Sequence, residues 1–212
     1  MKPELVIFDC DGVLVDSEVI SNQVMEDNLA GYGLKLTLKE CMDLFVGGTI
    51  FGVMEKSKAL GATLPDDWVA EIYAQTNARL AQGVAPVKGI VAVLDLLDAA
   101  GIKYCVASNG ARSKMQTTLG QNDMWERFEN AMFSAHELGV AKPDPDLFQI
   151  AAGDVPPEKC VVVEDSVNGA RAAAAANMRC LGYHEHDDGK NLAAEGAELI
   201  DDMAKLPGLI GL

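Results

Sequence analysis

Leu5-Val6-Ile7-Phe8-Asp9-Cys10-Asp11-Gly12 is the stretch that decides the fold. Four consecutive apolar residues, β-branched and aromatic types among them, read as a short strand buried on both faces. The run breaks abruptly into two aspartates and a glycine. The same grammar recurs downstream. Tyr104-Cys105-Val106-Ala107 ends in Ser108-Asn109-Gly110, and Cys160-Val161-Val162-Val163 ends in Glu164-Asp165. Lys142 opens a stiff segment, Lys142-Pro143-Asp144-Pro145. In an open parallel sheet, sites form at the carboxyl ends of strands. Carboxylates gathered there repel one another unless a cation or a proton intervenes. Oxygen donors of this kind suit Mg²⁺. The first expectation is therefore a metal-assisted reaction on an anionic substrate.

From about residue 86 onward, strand and helix signals alternate. Ile90, Val93, Leu94 and Leu97 have helical spacing, and Gly101 closes that helix. Strands are expected at 102–107, 131–133, 160–163, 179–183 and 198–200, with helices at 112–119, 146–152 and 169–176. Continuous apolar strands between helices predict an α/β fold, a Rossmann-like parallel sheet covered on both faces. Residues of roughly 17–84 interrupt that rhythm with helical periodicity, as at Trp68, Ile72 and Tyr73, and carry no buried strand. The expected organisation is a core of 1–16 and 85–212 with a helical domain, 17–84, inserted after the first strand. Gly83, Pro86 and Gly89 mark the return.

Composition limits the function classes. The 212 residues are 49% hydrophobic and 23% charged, the balance of an ordinary globular chain. Lys and Arg total 17 against 32 Asp and Glu, a net charge of −15. That field repels nucleic acid and anionic membranes, so neither is expected as a partner. A phosphate site would need local positive charge, which a metal and Lys142 could supply. The five cysteines, Cys10, Cys41, Cys105, Cys160 and Cys180, have no zinc-ligand spacing. A reducing, cytoplasmic setting is expected, with no signal peptide and no apolar stretch of membrane-spanning length.

Each site signal has a plainer reading when taken alone. Asp-Gly makes ordinary surface turns, and acidic residues cap helices. Together the strand ends point to chemistry. Two carboxylates can divide labour between nucleophile or metal ligand and acid–base. Ser108 and Asn109 can donate to phosphate oxygens, and Lys142 can neutralise a phosphoryl group.

The ordered set resembles a family. Asp9-Cys10-Asp11-Gly12-Val13-Leu14-Val15-Asp16-Ser17-Glu18 is similar to the first signature of the haloacid dehalogenase superfamily, in its phosphatase and phosphomutase branch. Val106 to Gly110, Lys142 to Pro145, and Val163 to Ser166 resemble the second, third and fourth. The branch most similar in pattern is β-phosphoglucomutase-like and 6-phosphogluconate phosphatase-like, the latter sharing Ser108-Asn109-Gly110 followed by Lys114-Met115-Gln116. The resemblance implies Asp9 as nucleophile, Asp11 as acid and base, and Ser108, Lys142 and Asn109 as phosphoryl ligands. It implies Mg²⁺ on Asp9, the Asp11 carbonyl and Asp165, with Glu164 in or beside the ligand set. The inserted domain becomes a cap, with Gly47 and Gly48 as the tip that meets the substrate.

Departures refine the expectation. The mutase branch carries a basic cap residue, but Phe45-Val46-Gly47-Gly48-Thr49-Ile50 has no Lys or Arg, and Ser21 stands where that branch has a histidine. A bisphosphate intermediate needs cationic contacts, so hydrolysis is favoured over the alternative, a phosphosugar mutase. A phospho-accepting signalling receiver is the remoter alternative, opposed by the insertion and by Asp11. The expected partner is a small phosphorylated metabolite, probed by a chain that is a monomer or a weak dimer.

Overall fold

The structure, a computed structural model, describes residues 2–46, 50–185 and 188–212. Strand β1 (Leu5–Phe8) is buried along its whole length. Four helices follow: α1 (Glu18–Gly31), α2 (Leu38–Phe45), α3 (Ile50–Ala59) and α4 (Trp68–Leu80). Helix α5 (Ile90–Ala100) then leads into β2 (Lys103–Ser108), α6 (Arg112–Gly120), α7 (Trp125–Phe128) and β3 (Met132–Ser134). The chain continues through α8 (Ala135–Leu138), α9 (Asp146–Ala152), β4 (Cys160–Glu164), α10 (Val167–Ala175) and β5 (Arg179–Tyr183). Helix α11 (Lys190–Ala194), β6 (Glu198–Ile200) and α12 (Leu206–Leu209) complete it.

All six strands run parallel, in the order β3-β2-β1-β4-β5-β6. Strand β1 is central, and the order of winding reverses beside it, between β2 and β4. That is the topological switch point, where a crevice opens at the carboxyl ends. The Rossmann-like sheet expected from the sequence is thus present. Ile7, Cys105, Val162 and Cys180 pack on one face against Leu147 and Phe148 of α9 and Ala170 and Ala173 of α10. Small alanines let α10 approach the strands closely. Phe8 meets Tyr104 edge-on, and Tyr104 meets Phe128 of α7.

Boundaries moved where backbone hydrogen bonds decide them. Strand β2 starts at Lys103 because Ile102 N–H returns to Leu97 O, closing α5 over left-handed Gly101 (φ +64°). Helix α10 starts two residues early because Ser166 caps it, its Oγ accepting from Gly169 N–H at 3.0 Å. Helices α7, α8, α11 and α12 were not legible in the sequence. At four or five residues they are too short to display a period.

The chain divides into two compact units, Met1–Val15 with Ala85–Leu212, and Asp16–Val84. The second has its own core, built from Leu29, Cys41, Phe45, Val53, Trp68 and Ile72. Buried Trp68 donates from Nε1 to Asn28 Oδ1 at 2.6 Å, and Asn28 in turn donates to Glu71 and Gln75. Thr37 and Glu40 form a reciprocal capping box at the start of α2. All five cysteines are buried free thiols. Among the described residues no helix is long and apolar enough to cross a membrane.

Candidate active site

Register alone brings two carboxylates together. Phe8 pairs with Val163, so Asp9 and Glu164 stand side by side one residue further on. Asp9 N–H donates to Val163 O at 2.9 Å, continuing the ladder to the rim. Both side chains are buried. The ammonium of Lys142 lies between them, 2.5 Å from Asp9 Oδ1 and 2.6 Å from Glu164 Oε1. Lys142 is itself buried and sits 5.0 Å from the centre of the Phe148 ring. Burial works against its charge, yet Asp9 and then Glu164 more than offset that and hold it above the ordinary lysine range. Burial pushes Asp9 up to about 7 despite Lys142, and the neighbouring charges of Glu164 and Asp11 add to the rise.

Glu164 is engaged at both ends. Its Oε2 accepts from Ser166 N–H and Ser166 Oγ, each at 2.8 Å. Asn109, expected among the phosphoryl ligands, is placed against the main chain of Lys142. Its Oδ1 accepts from Lys142 N–H at 2.9 Å and its Nδ2 donates to Lys142 O at 3.2 Å. This reciprocal amide pair ties the end of β2 to the segment carrying the lysine. Ser108 is buried at the last position of β2, its Oγ accepting from Gly110 N–H at 3.0 Å. The hydroxyl hydrogen remains a donor.

Asp11 sits in a tight loop after β1. Gly12 takes φ +71° and donates to Val15 O at 2.8 Å, while Val15 N–H returns to Cys10 O. A side chain would resist that left-handed backbone. Cys10, between the two aspartates, is buried, and burial followed by Asp11 and Asp9 pushes its thiol well up, so it is a poor nucleophile. Asp165 follows β4, half-buried. Gly47 and Gly48 lie outside the described residues.

Two residues assigned no role from the sequence matter here, although Lys114 lies in the stretch that carries the family resemblance. The ammonium of Lys114, on α6, contacts both oxygens of Asp11, at 2.8 and 2.9 Å. Burial opposes its charge, but Asp11 more than offsets it and holds Lys114 above the usual lysine value. Nothing about a single helical lysine announces such a partner 103 residues away. Gly169, inside α10, is the second. A Cβ there would fall inside the Glu164 carboxyl group. Its sequence signal is a glycine interrupting an alanine-rich helix, a choice that costs about 1 kcal/mol in propensity. Gly169→Ala should therefore invert the usual trend. Propensity favours alanine, yet Glu164 can make room only by leaving Lys142 or Ser166. We expect a net loss of about 2 kcal/mol in urea unfolding. An alanine variant as stable as the parent would remove Gly169 from the site.

A family model for haloacid dehalogenase-like hydrolases matches residues 3–177. The chain belongs to that family. This hydrolase is 32% identical over 210 residues to the 6-phosphogluconate phosphatase of Escherichia coli (strain K12), covering 97% of this chain and 94% of that protein. Among solved structures it is similar to a conserved haloacid dehalogenase-like protein of unknown function from Agrobacterium tumefaciens str. C58. The TM-score is 0.89 and the identity 32%, over 98% of this chain and 97% of that one. It also resembles a HAD family hydrolase from Deinococcus radiodurans R1 with bound phosphate and sodium. There the TM-score is 0.81 and the identity 33%, over 98% and 95% of the two chains.

Whether a divalent cation suits this edge can be tested on the donors present. Among the described residues no group of three or more His, Cys, Asp or Glu side chains is placed to hold a metal ion. Mg²⁺ does not ask for one, since it commonly takes one or two carboxylates and keeps several waters. Burial raises Asp9 even with Lys142 beside it, so further positive charge at this edge would favour its carboxylate form. Asp9 and Asp165, at the ends of β1 and β4, are hard oxygen donors of the type that Mg²⁺ takes. Glu164, with both oxygens already in hydrogen bonds, does not need to be among them.

Proposed function

We propose that this protein is a Mg²⁺-dependent phosphatase of small phosphate monoesters, sugar phosphates in particular, working through an aspartyl-phosphate. The observation that carries the reading is the buried Lys142 ammonium shared by Asp9 and Glu164 at the switch point of the sheet. Such an ammonium can neutralise phosphoryl oxygens beside the carboxylate that attacks them. The sugar-phosphate class is supported by similarity to the 6-phosphogluconate phosphatase, and a phosphoryl ligand by the phosphate in the Deinococcus radiodurans relative.

An oxygen of Asp9 attacks phosphorus, and the bond to the ester oxygen breaks. Asp11 gives the departing alkoxide its proton and becomes a carboxylate. It then takes a proton from water, which attacks the same phosphorus. The acyl-phosphate bond breaks, inorganic phosphate leaves and Asp9 is regenerated. Lys142 and the Ser108 hydroxyl hold the phosphoryl oxygens through both steps. Glu164, Ser166 and Asn109 hold Lys142. Asp9, Asp165 and the Asp11 carbonyl would hold Mg²⁺, which would supply charge neutralisation when bound. The inserted helical unit, read from the sequence as residues 17–84, has the role of a cap domain in this reading.

The test is a panel of hexose, pentose and sugar-acid phosphates, followed by inorganic phosphate release. Activity should vanish in EDTA and return with Mg²⁺. Full turnover in metal-free buffer would sink the metal assignment. Sugar-phosphate isomers appearing without free phosphate would replace hydrolysis by mutase chemistry.

A further inference from the structure

We infer that Lys114 is a positioning residue that aims Asp11 at the water of the second half-reaction and so sets the lifetime of the phosphoenzyme. The inference rests on the phosphatase reading above and extends it to a side chain outside the four signatures. Two observations carry it. The ammonium touches both Asp11 oxygens, at 2.8 and 2.9 Å, which fixes the carboxylate in direction as well as in place. The pair is sheltered, with side-chain exposure of 17% for Lys114 and 28% for Asp11, so solvent screens it less than a surface pair.

The neighbouring cation shows that the aim is particular to Lys114. Arg112, two residues earlier on α6, donates to the carbonyls of Met132 and Glu129 and lies over the Trp125 ring. Its charge serves the packing of α6 and α7. Lys114 alone of the two reaches the site. Helix α6 is also anchored independently of the pair, by buried Met115, Thr118 and Leu119. The lysine therefore projects from a rigid support, and removing its ammonium leaves that support in place.

A carboxylate held by both oxygens is set up to receive a proton from water rather than to swing freely in the crevice. Losing the ammonium removes the contact that fixes both Asp11 oxygens, and water attack on the acyl-phosphate should suffer most. The test uses rapid mixing with an aryl phosphate in Mg²⁺, whose good leaving group makes the first transfer insensitive to Asp11. Lys114→Met should show a burst of one equivalent of phenol, then a steady rate about 10–100-fold below the parent. Acid-quenched phosphoenzyme should persist longer by the same factor, and KM should fall rather than rise as that intermediate accumulates. Lys114→Arg, able to contact both oxygens, should recover most of the rate. A structural role would move none of these except through loss of folded protein, which circular dichroism measures, and the Arg variant covers a Met variant that does not fold. An unchanged phosphoenzyme lifetime in folded Lys114→Met, or Arg no better than Met, would overturn the inference. Asp9→Asn run in parallel separates the two ideas. If it still turns over, the aspartyl-phosphate reading itself fails and this inference with it.

Discussion

Asp9→Asn should form no phosphoenzyme and should lower phosphate release by at least about 10⁴-fold, in line with removal of a covalent nucleophile. The size of the loss follows from how little else can attack. Cys10 is buried with its thiol held protonated, and Ser108 Oγ already accepts from Gly110. Asparagine is close in shape, so Lys142 keeps a partner oxygen and the fold should be retained. Unfolding in urea checks the second point and acid-quenched labelling with phosphate-labelled ester the first. A folded variant that still turned over at the parent's rate would mean another group takes the phosphoryl.

Lys142→Met should damage stability as well as activity. The methionine keeps the apolar contact with Phe148 but leaves Asp9 and Glu164, both buried, facing each other without a counter-charge. Breaking a buried ion pair from one side costs about 3–5 kcal/mol. Removing the second charge should return part of it. Lys142→Met combined with Glu164→Gln is expected to be more stable than Lys142→Met alone, while remaining inactive. Denaturant midpoints at constant slope would measure both. If the single variant lost activity but no stability, the ammonium would be a substrate contact and nothing more for the fold.

The centre of the sheet was legible because β1 and the body of β4 are unbroken, buried apolar runs. The inserted helical unit was legible because it breaks the alternation. Asp9, Ser108 and Glu164 could be picked out as the first polar residues after such runs. What those residues do to one another was harder to read. Lys142 meets Asp9 across 133 positions of chain, and Lys114 meets Asp11 across 103. Neither distance leaves a local mark. Asn109 and Glu164 show the same limit in another way. Their polarity was visible, but whether an amide or a carboxylate faces ligand or scaffold depends on partners that only the fold supplies. Here Asn109 turns to the Lys142 main chain and Glu164 to Lys142 and Ser166. Gly169 was passed over because its neighbour, Glu164, is reached through space, from strand to helix.

Val15 and Pro86 are bridging neighbours, where the chain departs from the sheet-bearing unit and where it comes back. The two ends of the 16–84 excursion therefore share one doorway. Every support named for Asp9, Asp11, Lys142 and Glu164 belongs to the stretches on the near side of it. Lengthening, shortening or exchanging the excursion leaves those supports intact. The excursion is thus joined to the sheet-bearing unit at one place, and none of the contacts named around the sheet edge passes through it.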